Sequence, residues 1–240
     1  GRDGRPVIPG VPMADLASGY NAAFSVLVAL RTRDRTGRGE FVDVSIFDTA
    51  VSLMVLNLAR YLATGEEPVA GETLLTGTFP FYNLYETADG GWMAVAAVEP
   101  KFWARLCEVV GVPELTESQF ADERDKAGVV RTLRARFKTK TKEDWEAIFA
   151  KEKLPVIGVR HVSDLVKDPQ VKARNLLPVV DVPGLWRMPV IAHPAKHSVS
   201  KTQAPARAPA KGEDTDAILR SLGYSVKQIE ALAKKGVIAR

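Results

Sequence analysis

The chain has 240 residues, of which 46% are hydrophobic, and its net charge is only +4, a composition typical of globular proteins. The charged residues are scattered, so charge gives no argument for nucleic-acid binding. The sequence has no apolar run of about 18 residues, so no membrane-spanning helix is expected. Its first residues show no basic segment followed by an apolar one, so no signal peptide is predicted. The single Cys107 excludes an internal disulfide and favours a cytoplasmic location.

The first predicted elements form a helix–strand–helix unit. Over Leu16–Arg33, apolar side chains recur every three or four residues, which predicts an amphipathic helix with one stripe facing a core. Asp15 is a good N-cap for this helix. Val42–Ile46 alternates apolar and polar residues, which predicts a half-buried strand, and an apolar helix is predicted over Asp48–Ala63. This order is typical of one layer of an α/β domain.

A linker and a hairpin are predicted next. Residues 65–79 are rich in Gly, Pro, Thr and Glu and read as a linker. Asp89-Gly90 then lies between two apolar runs, Phe81–Glu86 and Trp92–Val98, which is a strong hairpin signal. A helix is expected to begin at Glu99-Pro100, because proline favours the first helical position.

The rest of the chain is predicted to be mostly helical. Capping-box patterns begin at Thr141 and at Ser225. His193–Gly212 is rich in Pro, Ala and Lys and is expected to be an extended linker. The remaining predicted elements are helices over Glu123–Phe137 and Lys142–Lys151, a strand over Val156–Val159, helical turns over Ser163–Lys167 and Pro169–Asn175, and helices over Thr215–Leu222 and Val226–Lys235.

Asp15 is the first candidate for chemistry. A carboxylate can displace CoA from an acyl-CoA and form an acyl-aspartyl anhydride, provided that it is accessible and that donors stabilise the oxyanion. Asp15 fits because helix N-termini present free N–H groups, and small neighbours such as Gly19 allow close approach. The alternative is that Asp15 only caps the helix.

A second carboxylate and a few other groups complete the candidates. Glu99 lies between the hairpin and the next helix, where it can relay a proton or merely complement the helix dipole. None of the three histidines has metal-ligand spacing to Cys, Glu or another His, so no metal site is expected. Cys107 lies on an apolar helix face and is expected to be part of the core.

Several of these segments, taken in order, resemble the family III CoA-transferases. That superfamily includes formyl-CoA, carnitine and bile-acid CoA-transferases and 2-methylacyl-CoA racemases. The segments that carry the resemblance are Pro9–Asp15, Gly37-Arg-Gly39-Glu-Phe-Val-Asp43, Phe81-Tyr82, Tyr85–Gly90, Val98–Phe102, Asp168–Arg174, Gly212–Asp216, Leu222-Gly-Tyr224 and Gly236-Val237.

The resemblance implies a fold and a set of site residues. The fold is α/β, with a Rossmann-like large domain, a small α+β domain and two interlocked subunits in a homodimer. Residues 1–70 and 187–240 would belong to the large domain and 75–180 to the small one. Asp15 and Glu99 match catalytic positions of the family. Substrate contacts are expected at Gly19, Gly77, Phe81 and Tyr82.

The resemblance also predicts a missing part. The chain begins Gly-Arg-Asp-Gly-Arg without a Met, which reads as an internal start. In the family, the half that supplies most CoA contacts precedes this point. We therefore expect an N-terminal half as a separate or cleaved chain, and an incomplete CoA site without it. The CoA thioester would be a substrate, and no cofactor is expected.

Three functions remain open from the sequence. The first is CoA transfer between an acyl-CoA and a carboxylic acid acceptor through an acyl-aspartyl intermediate on Asp15. The second is racemisation of a 2-methylacyl-CoA by Asp15 with a His from the missing half. Leu74–Tyr82 has one glycine, unlike oxalate-type transferases, but Thr78 and Phe79 also depart from the small residues of racemases. The third is a non-catalytic fragment or interaction subunit.

Overall fold

The computed structural model describes residues 7–181, 187–200 and 209–239. The contacts divide the chain into two units, Gly1–Val159 and Arg160–Arg240, which are described separately below. The predicted domain boundaries at 70–75 and 180–187 stay a prediction.

Three helices begin the first unit. They are α1 (Met13–Thr36), α2 (Ile46–Leu53) and α3 (Val55–Thr64). The first helix is confirmed but starts two residues before Asp15, so the prediction that Asp15 is the N-cap is wrong: Pro12 holds that position, without a side-chain cap. The helix continues three residues beyond the predicted end at Arg33 and stops at Thr36, because Gly37 adopts a φ of 75° that closes the last turn.

The predicted strand over Val42–Ile46 is wrong. No strand forms among residues 7–64, so the segment has no neighbour to pair with, and a single extended segment is not stable as a sheet. Ser45 instead caps α2, since its hydroxyl accepts a 3.2 Å hydrogen bond from the Asp48 N–H. The described part of this region is therefore helical, and a Rossmann-like sheet stays a prediction.

The predicted helix over Asp48–Ala63 is broken into two. The Met54 N–H donates to the Val51 carbonyl, three residues back, at 3.0 Å, which ends α2 in a tight turn. The Ser52 hydroxyl donates to the Thr49 carbonyl at 2.7 Å, a local bond that competes with the helical pattern. The axes of α2 and α3 consequently differ by 68°.

The predicted apolar stripe of α1 is present but is not buried by the described residues. Tyr20, Phe24 and Leu27 are each about two-thirds exposed, at 66%, 67% and 65%. By length and composition, α1 can cross a membrane, and the bent pair of α2 and α3 passes the same test together. Core helices of soluble proteins pass the same test, so the expectation of no membrane partner stays a prediction.

An antiparallel sheet packed against helices makes up the rest of the first unit. Its elements are β1 (Tyr82–Glu86), β2 (Trp92–Ala96), α4 (Pro100–Val110), a 3-10 helix (Pro113–Ser118), α5 (Glu123–Phe137), α6 (Lys142–Phe149) and β3 (Val156–Gly158). The sheet order is β1-β2-β3, with Leu84 opposite Ala94 and Ala94 opposite Ile157. The hairpin, α5, α6 and β3 are confirmed within two residues at their ends, and α4 begins at Pro100 as predicted, whereas the 3-10 helix was not predicted.

The core lies between one face of this sheet and the three helices. Tyr85 and Phe137 stack with ring centroids 4.8 Å apart, and Trp145 lies 5.1 Å from Phe137. The indole N–H of Trp145 donates to the Phe137 carbonyl at 2.9 Å, so the buried ring keeps its hydrogen bond. Cys107 is fully buried in the same core, as predicted.

The second unit contains short elements. They are α7 (Val162–Leu165), α8 (Pro169–Ala173), β4 (Val179–Asp181), β5 (Arg187–Pro189), α9 (Thr215–Ser221) and α10 (Val226–Lys234). The predicted helices are confirmed, whereas the antiparallel β4–β5 pair was not predicted. The predicted linker has no helix or strand over 193–200 and 209–212, and its residues 201–208 lie outside the described part.

Candidate functional site

Asp15 lies in the first turn of α1 with an exposed side chain. The first N–H groups of a helix have no partner within it, and Pro12 offers no side chain to cap them. Together with the helix dipole, these groups favour negative charge beside the helix start. The carboxylate is thus accessible to a ligand, and donors for a developing oxyanion lie next to it in the chain.

A polar seam holds this helix against α2. Ser18 is the one buried residue described in α1, and its hydroxyl donates to the Ala14 carbonyl at 2.7 Å. Asn21 donates to the Thr49 hydroxyl of α2 at 3.3 Å. Thr49 in turn donates to the Ser45 carbonyl at 2.9 Å. The bond between Asn21 and Thr49 links α1 to α2, whereas the other two are local to α1 and to the start of α2.

Glu99 is placed where the sequence predicts it. It is the N-cap residue of α4, its side chain is exposed, and it makes no capping hydrogen bond. Its backbone carbonyl accepts from the Phe102 and Trp103 N–H groups at 2.9 and 3.0 Å, which anchors the residue at the helix start. The backbone of Glu99 is therefore held at the helix start, and its carboxylate takes no part in the cap.

Gly77 and Tyr82, two of the predicted substrate-binding residues, line one cavity of about 370 Å³. The loop over residues 75–77 forms one side, and the outer face of the β1–β2 hairpin forms the other. Asn83, which the sequence analysis missed, joins them: its amide donates to the Gly77 carbonyl at 2.7 Å. The sequence did contain a sign of this role, because Asn83 is a polar residue at a strand position that alternation directs inward, and buried polar groups need hydrogen-bond partners. In the structure Asn83 is 5% exposed.

Phe81 and Gly19 have different surroundings. Phe81 is fully buried and packs edge-on to Trp103 and Phe120, so it supports the hairpin from the core and does not line the cavity. Gly19 is exposed on α1, and a methyl group built there would meet no atom within 4 Å. The space beside Gly19 is thus open to a ligand or to a packing partner.

Cys107 and the three histidines add no second reactive site among the described residues. Burial raises the pKa of the Cys107 thiol to about 12, which leaves it protonated and a poor nucleophile at neutral pH. His161, His193 and His197 are exposed. Over residues 7–181, 187–200 and 209–239, no group of three or more His, Cys, Asp or Glu side chains is arranged to hold a metal ion.

Comparison with known sequences decides the family. A family model described as CoA-transferase family III matches residues 1–215. The chain belongs to this family.

Curated family members differ in the reactions for which they are named. The chain is 28% identical to succinyl-CoA:glutarate CoA-transferase of Mus musculus over 242 residues, 98% of this chain and 55% of that protein. It is 29% identical to succinyl-CoA:mesaconate CoA-transferase of Haloarcula marismortui, over 92% of this chain and 56% of that protein. It is 31% identical to alpha-methylacyl-CoA racemase of Homo sapiens, over 99% of this chain and 62% of that protein. The chain spans a little over half of each.

Solved structures of the family share the fold. An alanine mutant of Rv3272 from Mycobacterium tuberculosis matches with a TM-score of 0.73 and 27% identity, over 90% of this chain and 57% of that one. A CAIB/BAIF family protein from Brucella suis matches with a TM-score of 0.69 and 26% identity, over 92% of this chain and 58% of that one. The helices and the antiparallel sheet described above are therefore part of the family III fold.

Proposed function

We propose that the enzyme containing this chain transfers CoA between carboxylic acids and that Asp15 is its nucleophile. The observation that carries the proposal is the exposed carboxylate of Asp15 in the first turn of α1, within a family III chain. A carboxylate at a helix start is accessible and lies next to N–H groups that can stabilise an oxyanion.

The proposed steps balance as a double exchange. The Asp15 carboxylate attacks the thioester carbonyl, so a C–O bond forms, the C–S bond breaks, and CoA leaves as a thiolate. The thiolate then attacks the aspartyl carbonyl of the anhydride, which releases the first acid and leaves CoA on Asp15 as a thioester. The acceptor carboxylate attacks this thioester, and the returning thiolate takes the new acyl group and frees Asp15.

The proposed substrates and partners follow from the family. Relatives named for succinyl-CoA, glutarate and mesaconate support an acyl-CoA donor and a carboxylic acid acceptor. CoA enters only as a substrate thioester, and we propose no cofactor, no membrane and a cytoplasmic location.

We also propose a partner polypeptide and a homodimer. The partner carries the N-terminal half of the enzyme, including the Rossmann-like part of the large domain, and the subunits interlock. The exposed apolar stripe of α1 supports this, because a face with Tyr20, Phe24 and Leu27 each about two-thirds exposed, at 66%, 67% and 65%, fits a partner surface.

An aspartate pair tests the nucleophile. Asp15→Ala should lower CoA transfer by about 1,000-fold or more, since the covalent route is lost. Asp48→Ala is the matched control, because Asp48 also lies in the first turn of a helix with an exposed side chain, and this variant should stay active. Hydroxylamine should convert Asp15 to its hydroxamate, seen by peptide mass spectrometry, only when acyl-CoA is present. Full turnover by Asp15→Ala would refute the proposal.

Racemisation of a 2-methylacyl-CoA is the second candidate. Glu99 favours it, because an exposed, uncommitted carboxylate at the start of α4 can assist a proton transfer at the acyl α-carbon. The 31% identity to the human racemase also supports it. Asp15 would then act with a His from the N-terminal half. Deuterium from solvent should appear at the α-carbon only if this reaction occurs, whereas hydroxamate on Asp15 identifies the transferase.

A further inference from the structure

A cavity of about 590 Å³ lies between the first turns of α4, the 3-10 helix and the start of α5. Its walls are held by tertiary contacts. The indole N–H of Trp103, which lines the cavity, donates to the Leu115 and Thr116 carbonyls at 3.2 and 2.9 Å and so ties the 3-10 helix to α4. Phe120, also in the lining, packs edge-on to Phe81 with ring centroids 5.1 Å apart. A ligand entering this space meets an ordered surface, which lowers the entropy lost on binding.

The charge in the lining of this cavity has one sign. Glu117 and Asp125 are the charged residues that line it, both are exposed, and neither forms an ion pair within the described part of the chain. Among the described residues, no lysine, arginine or histidine lines the cavity. A cation placed there is attracted by two uncompensated carboxylates, whereas an anion is repelled by both.

Two helix starts border the cavity, but several of their N–H groups are already bonded or absent. Pro100, at the first position of α4, has no N–H, and the Phe102 N–H donates to the Glu99 carbonyl at 2.9 Å. The Asp125 N–H of α5 donates to the Asp122 carboxylate at 3.2 Å. The attraction that a helix start offers to an anion is therefore reduced here, and the carboxylates of the lining set a preference for positive charge.

A buried amide adds a directional acceptor to the lining. Gln119 lines the cavity and is 6% exposed, and its amide nitrogen donates to the Val98 carbonyl at 2.7 Å. This bond fixes the orientation of the amide, because only its nitrogen can donate to a carbonyl. The carboxamide oxygen of Gln119 accepts no hydrogen bond from the described residues, and it is not sealed from solvent. An N–H group of a ligand in the cavity would supply the donor that this oxygen lacks.

We propose that this cavity binds an organic amine, in the form of a primary ammonium group carried on a hydrocarbon or aromatic stem. The ammonium donates to the Gln119 carboxamide oxygen and is attracted by the two carboxylates of the lining, and its stem lies against Phe120. The volume of the cavity is within the range of small-ligand sites. The site goes beyond the proposed function, because neither Asp15 nor Glu99 lines this cavity.

Probes of similar shape and different charge test the proposal. 2-Phenylethylamine carries an ammonium group at neutral pH, 2-phenylethanol is its neutral counterpart, and 3-phenylpropanoate carries a carboxylate. In titrations of the 240-residue chain followed by proton–nitrogen NMR, the Gln119 side-chain amide and the Trp103 indole N–H report on the cavity directly. Their shifts should saturate with the amine at a Kd of about 1 mM, and the alcohol and the propanoate should bind at least about tenfold more weakly. Equal affinities for the three probes, or no shift with the amine, would overturn the proposal.

Two glutamates of the 3-10 helix provide a variant and its control. Glu117 lines the cavity and Glu114 does not, although both are exposed. Glu117→Gln should weaken binding of 2-phenylethylamine about three- to fivefold, the loss expected for one exposed charge, and Asp125→Asn should do the same. Glu114→Gln removes the same charge from the same helix and should leave the Kd unchanged. Equal losses in the two glutamate variants would show that the amine responds only to net charge and would overturn the assignment of the cavity.

A permanently charged probe tests the hydrogen bond to Gln119 separately from charge. 2-Phenylethyltrimethylammonium keeps the positive charge and has no N–H, so it should bind about fivefold more weakly than 2-phenylethylamine. Equal or tighter binding of this probe would contradict the role of the Gln119 oxygen. None of these titrations requires turnover. Amine binding by a chain whose assembled enzyme transfers no CoA would retain this proposal and refute the proposed function, and CoA transfer without amine binding would do the reverse.

Discussion

Residues 13–64 and residues 80–159 place their apolar side chains in opposite environments. In the helices α1 to α3, the two residues described as buried, Ser18 and Thr49, are both polar. In the sheet and helices that follow, rings such as Tyr85, Phe137 and Trp145 are at most 2% exposed and pack against one another. The second region contains its own core, whereas the first presents apolar faces that the described residues leave uncovered.

The contrast shows that helix formation and helix packing are separate outcomes. Met13–Thr36 forms a helix because of local propensity and a glycine C-cap, and no core is needed for that. The described residues bury none of its apolar side chains, although apolar burial is the dominant favourable term in folding. Substitutions that look alike in the sequence should therefore have different effects in the two regions.

Phenylalanine truncation should give the largest difference. Phe137→Ala removes a fully buried ring from the aromatic core and should lower the free energy of unfolding by about 3–5 kcal/mol. Phe24→Ala removes a ring that is 67% exposed and should change it by less than about 0.5 kcal/mol in this chain alone. Urea denaturation measures both. Equal losses would mean that Phe24 is packed in solution, and the comparison would fail.

Two helix glycines give a smaller and sharper test. Gly19→Ala in α1 and Gly128→Ala in α5 should each stabilise the chain by about 0.5–1 kcal/mol, because neither added methyl group clashes and alanine favours helix. If substrate approaches α1 at Gly19, its substitution should also lower kcat/KM in the assembled enzyme, whereas Gly128→Ala should not. Unchanged kinetics in both variants would remove Gly19 from the predicted site.

The smallest effect concerns the hairpin turn. The Asp89 carboxylate accepts hydrogen bonds from the Thr87 hydroxyl and, at 3.1 Å, from the Lys142 N–H. The bond from Thr87 is the main reason that the pKa of Asp89 is lowered from its usual value of 3.8. Because the pKa of Asp89 is lower in the folded than in the unfolded state, the ionised carboxylate stabilises the fold above pH 3.8. This contribution is lost as the pH falls through the pKa of the folded state. Thr87→Ala should raise the pKa of Asp89 in an NMR titration. A wild-type pKa at or above 3.8 would contradict the assignment.

The hairpin and its helices were predictable because their signals are local. Asp89-Gly90 sets the turn, with Gly90 at a φ of 78°. Pro100 begins α4. Thr141 and Asp144 form the predicted capping box of α6. Each signal involves residues within a few positions of each other, and the tertiary structure agrees with all of them.

One error arose because a segment needs a distant neighbour, and two concern where a helix begins or ends. The alternation of Val42–Ile46 predicts a strand, but a strand needs a partner, and Ser45 caps a helix instead. The apolar run over Asp48–Ala63 predicts one helix, but the hydrogen bond from the Met54 N–H to the Val51 carbonyl ends the first part at Leu53. Asp15 has a residue type suited to capping, yet the helix begins before it, at Met13.

The sequence by itself determined the family, the helices with clear caps and the candidate Asp15, because motifs and capping residues act over short distances. Only the tertiary structure decided which apolar faces are buried, since burial depends on residues far apart in the chain. It also decided that Gly77 and Tyr82 share one uncharged cavity while Phe81, their neighbour in sequence, lies in the core. Side chains that alternate along a strand face opposite sides of the sheet, and only packing decides which side becomes a site.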